Sequence, residues 1–455
     1  MRLIKFKTRL NTTWEAVSTS YWFIPVVMMI AMSVLCLSCL FIIQRSQLPD
    51  FVINLIPTVQ EDGARQLLST LATAIITATS IAFSMTIVVL TMASAQFGPR
   101  LLRTFMLDKA TQSVLGILVS SFLFCIIALH HLGAIRDNAD ALSIISTVTF
   151  FIGIVNLFAL IFFIHHLSNA IQAEEVIHKS FDDFKVNLPS LLPKPEKEDN
   201  EQPIPNKLVP EAEYTIAYFS ESGGYVQTIN YSEFLNSEIR GVSGFEILVR
   251  SGDHVMPGEK IVIIHSRFAL TEQHLTSLNG LILLGHRRTP VQDPEFAISQ
   301  LVEIALRALS PGINDPFTAI SCLDKLTSAC ILMSRRPFPF DTIFNTERQT
   351  WLKRRTFTLS GVINTSFDQI RQSGKSHIAI GLHMLDCLQK LSHHLSEDYE
   401  KLIKQQANAT YELLMDARPS LVDKDKVERI MVNFDVHDTV FAHRNHAKEK
   451  FGSAS

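Results

Sequence analysis

The chain has six cysteines in 455 residues, a net charge of only -3, and no Asp, Glu, Lys or Arg across four long stretches of its first third. Each absence excludes something. Cys36, Cys39, Cys125, Cys322, Cys330 and Cys387 are scattered, so no disulfide framework is written into the spacing. Cys36-x-x-Cys39 has redox spacing but lies in an apolar run where a thiolate is poorly solvated, and small packing residues explain it better. The near-zero charge provides no global basic field, which argues against nucleic acid as a partner. A phosphate-binding GxxxxGK[ST] loop, HExxH, GxSxG and paired CxxC motifs are all missing, so no enzyme class, metal or cofactor is indicated.

The charge-free stretches are Trp22–Ile43, Leu67–Met92, Val114–Leu132 and Leu142–Ile164. About 20 apolar residues suffice for a helix to cross the hydrocarbon core. We therefore expect a membrane protein, mainly α, with four transmembrane helices (22–43, 67–92, 114–132, 142–164) behind a short segment 1–21. The first run is too long for a typical signal peptide and reads as an anchor that is retained. Basic residues in the segments that flank the spans alternate: four (Arg2, Lys5, Lys7, Arg9), two (Arg45, Arg65), three (Arg100, Arg103, Lys109) and one (Arg136). The positive-inside rule then puts both termini in the cytoplasm, and for a bacterial protein the membrane is the inner one. His130-His131 and His165-His166 end spans of opposite direction, roughly 30 Å apart, so they cannot share an ion within one protomer.

Membrane-embedded carboxylates, which coupled carriers usually need, are lacking, and Asn156 is the main strongly polar side chain inside the spans. The second span does carry a polar pattern. Thr73, Thr77, Ser80 and Ser84 recur at helical spacing on one face, beside a row of Ala74, Ala78 and Ala82. Such a face is either a packing seam or the wall of a polar path, and a path built from four-helix protomers would require a homo-oligomer in the lipid bilayer.

The remaining two thirds read as a helical stalk (165–188), a linker with six prolines (189–210), a small β module (211–266) and an α-helical domain (267–455), all expected in the cytoplasm. The stalk is expected to continue the fourth span, and its single Glu175-x-x-His178 falls short of a di-iron set. Gly252-Asp253 and Pro257-Gly258 mark turns in a stretch similar to half of a biotinyl- or lipoyl-like barrel, without the modifiable lysine. In the helical part, an amphipathic run from Phe296 stops at Ser310-Pro311-Gly312, and Asp315-Pro316 restarts a helix as N-cap and first residue. Arg307, Ser310, Pro311, Gly312, Asn314 and Asp315 thus form either a demanding helix connection or an anion site, to which Arg287-Arg288 could contribute. Later helices are expected near 350–371, 375–395, 397–416 and 422–446, the last with His437, His443 and His446.

The segment QLVEIALRALSPGINDPFTAISCLDKL, with SAQFGPRLL, QTIN, RSGDHVMPGEKI and FDQIR, resembles an uncharacterised bacterial membrane family catalogued as domain of unknown function twenty-two fifty-four. The resemblance implies a polytopic inner-membrane protein with a large cytoplasmic portion, and it brings no catalytic residues. Two functional readings follow from the residues: an oligomeric passive pathway for ions or small solutes with a cytoplasmic sensing or assembly domain, or a non-conducting membrane-anchored sensor or scaffold.

Overall fold

A computed structural model describes residues 20–45, 57–98, 105–106, 108–136, 138–192, 202–203, 213–345 and 348–434. The segment 1–19, most of the proline-rich linker, Arg100 and Arg103, and the terminal His437, His443 and His446 lie outside the described residues. The chain divides into two compact units, 1–176 and 177–455.

The first unit is a bundle of α1 (Phe23–Arg45), α2 (Glu61–Phe97), α3 (Lys109–His131) and α4 (Ala139–Ala170), with a 3-10 turn at Leu132–Ile135. All four are long and apolar enough to cross a membrane, and so is Pro316–Ser334 in the second unit. This is a membrane protein. At 37 residues, α2 is about 55 Å long, well beyond a hydrocarbon core of about 30 Å, because the helix starts at Glu61 and runs on to Phe97 rather than spanning 67–92 alone.

Helix α3 is the centre of the bundle and packs on each of the other three. Gly116 allows the closest approach: a Cβ there would lie 2.5 Å from Met28 Sδ and 3.3 Å from the Pro25 backbone of α1. The helix ends pair as an up-and-down bundle requires. At one end Arg136 meets Glu61 at 3.5 Å and the Val59 amide donates to the Ser143 hydroxyl at 3.0 Å. At the other end His166 of α4 meets Asp108, the N-cap of α3. The two histidine pairs therefore stand at opposite ends of α3.

The stalk is not a continuation of α4. The helix breaks at Ile171–Gln172, and α5 (Ala173–Leu191) begins anew and carries Pro189 in its last turn. His178 is spent on Asp182 one turn along, at 3.2 Å, on a solvated face.

In the second unit the strands are β1 (Gln202–Pro203), β2 (Tyr214–Phe219), β3 (Gly224–Ile229), β4 (Val242–Ile247), β5 (His254–Val255), β6 (Lys260–Ser266), β7 (Ile282–Gly285), β8 (Thr342–Asn345) and β9 (Thr350–Arg354). A six-stranded sheet has the order β1-β8-β9-β4-β6-β2, and a three-stranded one β5-β3-β7. The β region thus does not close within 211–266. It takes β7, β8 and β9 from the stretch expected to be helical, and residues 350–354 are strand where a helix was expected. The reason is topological. β4 and β9 pair in parallel, Phe245 opposite Leu352, and parallel neighbours need a long crossover. That crossover contains α8 (Glu295–Ala308) and α9 (Pro316–Ser334), which follow the short helices α6 (Tyr231–Leu235) and α7 (Glu272–Thr276). The two sheets enclose a core of Val226, Phe234, Phe245, Val262 and Ile264. Gly252 and Gly258 make the expected turns with φ of 92° and 77°.

The rest of this unit is a helical layer: α8, α9, α10 (Leu359–Ser373), α11 (Ile378–His394) and α12 (Glu400–Asp416), then a helical segment over 421–434. Helix α9 packs against α8, α10 and α11, with Ala319, Cys322, Leu323, Leu326, Cys330 and Met333 fully buried. Arg250, just after β4, ties the sheet to the first turn of α8 through a two-pronged pair with Glu295, at 3.2 and 2.9 Å.

Candidate functional site

The phase of α2 decides what its hydroxyls can do. The residues it buries against the bundle are Ala64, Leu68, Ala72, Ile75, Thr79, Ala82, Thr86, Ala93 and Phe97, spaced mostly by three and four. Small side chains at Ala72, Thr79, Ala82 and Thr86 make this the close-packed seam of the protomer. Thr73, Thr77, Ser80 and Ser84 lie on the opposite side, and all four are exposed. They are therefore not the seam within a protomer. Of the neighbouring alanine row, Ala74 is exposed, Ala78 half-buried and Ala82 buried, so that row turns from the surface into the seam.

The exposed polar face is longer than the four residues first singled out. Asp62, Gln66 and Ser69 precede them, Thr91 follows them on the same face, and all are exposed. The signal was present in the sequence, since the spacing continues in both directions, but it runs past the start of the charge-free stretch. The Thr73, Thr77 and Ser80 hydroxyls donate to the carbonyls of Ser69, Thr73 and Ile76 at 2.9, 2.8 and 2.9 Å. Each hydroxyl proton is thus satisfied by the helix's own backbone, and the oxygen keeps its lone pairs on the surface.

At the Asp108 end sits a polar cluster that sequence reasoning missed. The Asp108 carboxylate accepts from the Thr111 amide at 3.0 Å and the Thr111 hydroxyl at 2.7 Å, and meets His166 Nε2 at 2.6 Å. Partial burial opposes its charge, but the hydrogen bonds from Thr111 and His166 prevail and hold its pKa below the ordinary carboxylate value. Asp108 and His166 are 58 residues apart, and only the antiparallel packing of α3 on α4 joins them. Asn156 is buried on α4 and donates to the Ile152 carbonyl at 2.7 Å.

The Arg307–Asp315 connection is built as a capped turn. The Ser310 hydroxyl donates to the Arg307 carbonyl at 2.6 Å, and the amides of Ile313 and Asn314 both donate to the Ser310 carbonyl. Asn314 takes the left-handed backbone conformation at φ 52°, which Asn tolerates better than most residues. The Asp315 amide returns to the Ala308 carbonyl at 2.8 Å, and its side chain caps α9 through the Thr318 amide at 3.2 Å. Pro311 and Gly312 are exposed at the tip of the turn, as is Arg307 before it. The carboxylate of Asp315 occupies the place at the helix start where an external anion would bind. Arg288 is engaged as well, on the fully buried Asp293, with Nε to Oδ2 at 3.0 Å. Beside the exposed Arg307 and Asn314, the connection presents apolar side chains outward: Ile313 is exposed and Phe317 is 78% exposed.

Residues 18–390 match the profile of a family described as "Predicted membrane protein (DUF2254)". The chain belongs to the DUF2254 family. Uncharacterized proteins of Mycobacterium tuberculosis H37Rv and of Mycobacterium bovis are each 30% identical to it over 285 residues, 61% of this chain and 54% of the relative. The chain thus spans about half the length of these curated relatives. No solved structure matches. Membership in DUF2254 agrees with the helical membrane unit and names no activity.

Proposed function

We propose that this DUF2254 protein is a homo-oligomeric channel of the bacterial inner membrane that passes ions or small polar solutes without energy coupling, the 73–77–80–84 face of α2 lining the path. One observation carries this reading: the polar face of α2 points away from its own bundle, whereas the polar row of α4 (Ser143, Ser146, Thr149 and Asn156) is buried within it. A single four-helix protomer has no room for a pore, whereas a ring of protomers with α2 innermost would gather one hydroxyl stripe from each. The Thr73, Thr77 and Ser80 protons are used on backbone carbonyls, so these positions offer oxygen lone pairs. Together with Asp62 at its start, this favours cations, water or neutral polar solutes over anions. The absence of Asp and Glu within the four apolar stretches fits passive flow.

Four helices cross the membrane on this reading, and α9 does not. It carries Asp324 and Lys325 and forms the centre of a helical layer. The alternation of basic residues puts both termini and the second unit in the cytoplasm, where that unit would assemble or sense. Purified protein in liposomes should pass solute, and Ser80→Leu or Ser84→Leu should reduce the flux. If no ion or small solute crosses under any gradient, the channel reading fails.

The exposure of Ile313 and Phe317 at the capped turn favours a second reading, a non-conducting scaffold that holds a cytoplasmic protein. Under it, changes in the α2 hydroxyls leave function intact, whereas Phe317→Ser or Asp315→Ala removes partner capture from native membranes.

A further inference from the structure

The helical layer of the second unit assembles three side chains that the sequence keeps apart. Asp324 stands on α9, and His383 and Cys387 stand one turn apart on α11, on the face that meets it. His383 Nε2 is 2.9 Å from Asp324 Oδ1, and Cys387 Sγ is 4.0 Å from the same oxygen. All three donor atoms lie within 4.8 Å of one another. A tetrahedral zinc ion, with bonds of about 2.0–2.3 Å, holds its ligand atoms roughly 3.3–3.7 Å apart. The His383–Asp324 and Cys387–Asp324 separations, 2.9 and 4.0 Å, bracket that range.

The surroundings suit an ion. Helices α9 and α11 are fixed behind the cluster by Leu323, Leu326, Met384 and Leu388, all fully buried. Access is graded: Cys387 is buried, His383 half-buried and Asp324 exposed, so an ion can enter from solvent and come to rest against the sulfur. The solvent side leaves a fourth coordination position to water. Lys390, the nearest cation on α11, is held by Asp386 at 2.7 Å, and Lys325 lies over the Phe181 ring at 5.4 Å. With Asp324 ionised and the Cys387 proton released on binding, a divalent ion leaves the cluster neutral. Carboxylate, imidazole and thiolate together match the borderline softness of zinc and give little to magnesium or calcium.

We propose that Asp324, His383 and Cys387 form a zinc site that staples α9 to α11 with one position open to solvent. The site stands independently of the channel reading. Sequence spacing shows two of its three ligands: His383-x-x-x-Cys387 has the helical i, i+4 offset, while Asp324 lies 59 residues before His383.

The test uses the full-length protein in detergent, stripped with a chelator and titrated with Co²⁺ as a spectroscopic probe, then with competing Zn²⁺. The expected result is one Co²⁺ per protomer, with the visible absorption of a four-coordinate ion and a thiolate-to-metal charge-transfer band, both removed by Zn²⁺. His383→Gln and Asp324→Asn should each weaken binding by at least about tenfold, since even outer-shell partners of a metal ion are worth that much. Cys387→Ser should abolish the charge-transfer band. The first two positions border solvent, so those variants keep the test valid if Cys387→Ser fails to fold. If the wild type takes up no Co²⁺, the site does not exist. A charge-transfer band that persists at unchanged affinity in both His383→Gln and Asp324→Asn would place the ion on another cysteine and overturn the assignment.

Discussion

Helices α2 and α4 both pack on α3, and both present a full face to the outside of the membrane unit, yet the two faces differ in kind. Between residues 150 and 164 every exposed side chain of α4 is apolar: Phe150, Phe151, Val155, Leu157, Phe158, Ile161, Phe162 and Ile164. Over the comparable length of α2, exposed Thr73, Thr77, Ser80 and Ser84 alternate with Ile76, Ile81 and Phe83. The α4 face offers no polar group that lipid tails would leave unsatisfied. The α2 face keeps oxygen atoms that a hydrocarbon neighbour cannot use, although the Thr73, Thr77 and Ser80 protons are satisfied internally. Two helices of one bundle thus give the membrane unit one outer face that is apolar throughout and one that mixes apolar side chains with hydroxyls.

The most severe way to break this contrast is to make α2 resemble α4. Changing Thr77, Ser80 and Ser84 together to Leu should abolish solute flux in liposomes, while Phe151→Ser or Phe158→Ser on α4 should leave it within about twofold. Equal loss from both sets would show that neither face is special. Next in size is the seam. Ala82→Leu forces a large side chain into the contact of α2 with Val114 and Leu115, and should destabilise the protein by about 1–3 kcal/mol in a thermal melt. Ala74→Leu, on the exposed side, should shift stability by no more than about 0.5 kcal/mol.

Asp108→Asn keeps a good N-cap residue for α3 but removes the charged bond to His166, and should cost about 1 kcal/mol at neutral pH. Because the folded Asp108 has a lowered pKa, its contribution is complete above the ordinary carboxylate value of about 4 and is lost as pH falls through the folded value. The wild type and Asp108→Asn should therefore converge in stability at strongly acidic pH, and a constant gap would show that the carboxylate's charge plays no part. The smallest effect concerns the second unit. Burial pushes the thiols of Cys330 and Cys387 up to about 12 and about 11, so at pH 7.5 both should resist maleimide until the protein is unfolded, which mass spectrometry reads directly.

Much of this architecture is legible in particular residues. The charge-free runs locate α1 closely, and fall five or six residues short at both ends of α2, at the start of α3 and at the end of α4, where mostly polar or small residues are still helical. Asp315 followed by Pro316 announces the start of α9, and the structure makes that cap. The strands β8 and β9 were hidden. Thr350–Arg354 is five residues long with Lys353 and Arg354 in it, and its pairing with β4 depends on a partner more than 100 residues away. The Arg288–Asp293 pair was equally hidden, since Arg288 looks like an available cation until the fold buries its partner.

The sequence by itself settled that this protein belongs in a bilayer, that its spans lack fixed charge, and that one helix carries hydroxyls in phase. Those facts depend on length, composition and the 3.6-residue period, which are local. Only the tertiary structure decided that the hydroxyl face of α2 turns outward and that Asp324 meets His383 and Cys387. In a span whose two faces both mix apolar residues with hydroxyls, amphipathic contrast does not say which face meets the bundle. The choice falls to close packing among small residues such as Ala72, Ala82 and Gly116 on partner helices, and that is a property of the assembled bundle rather than of any one segment.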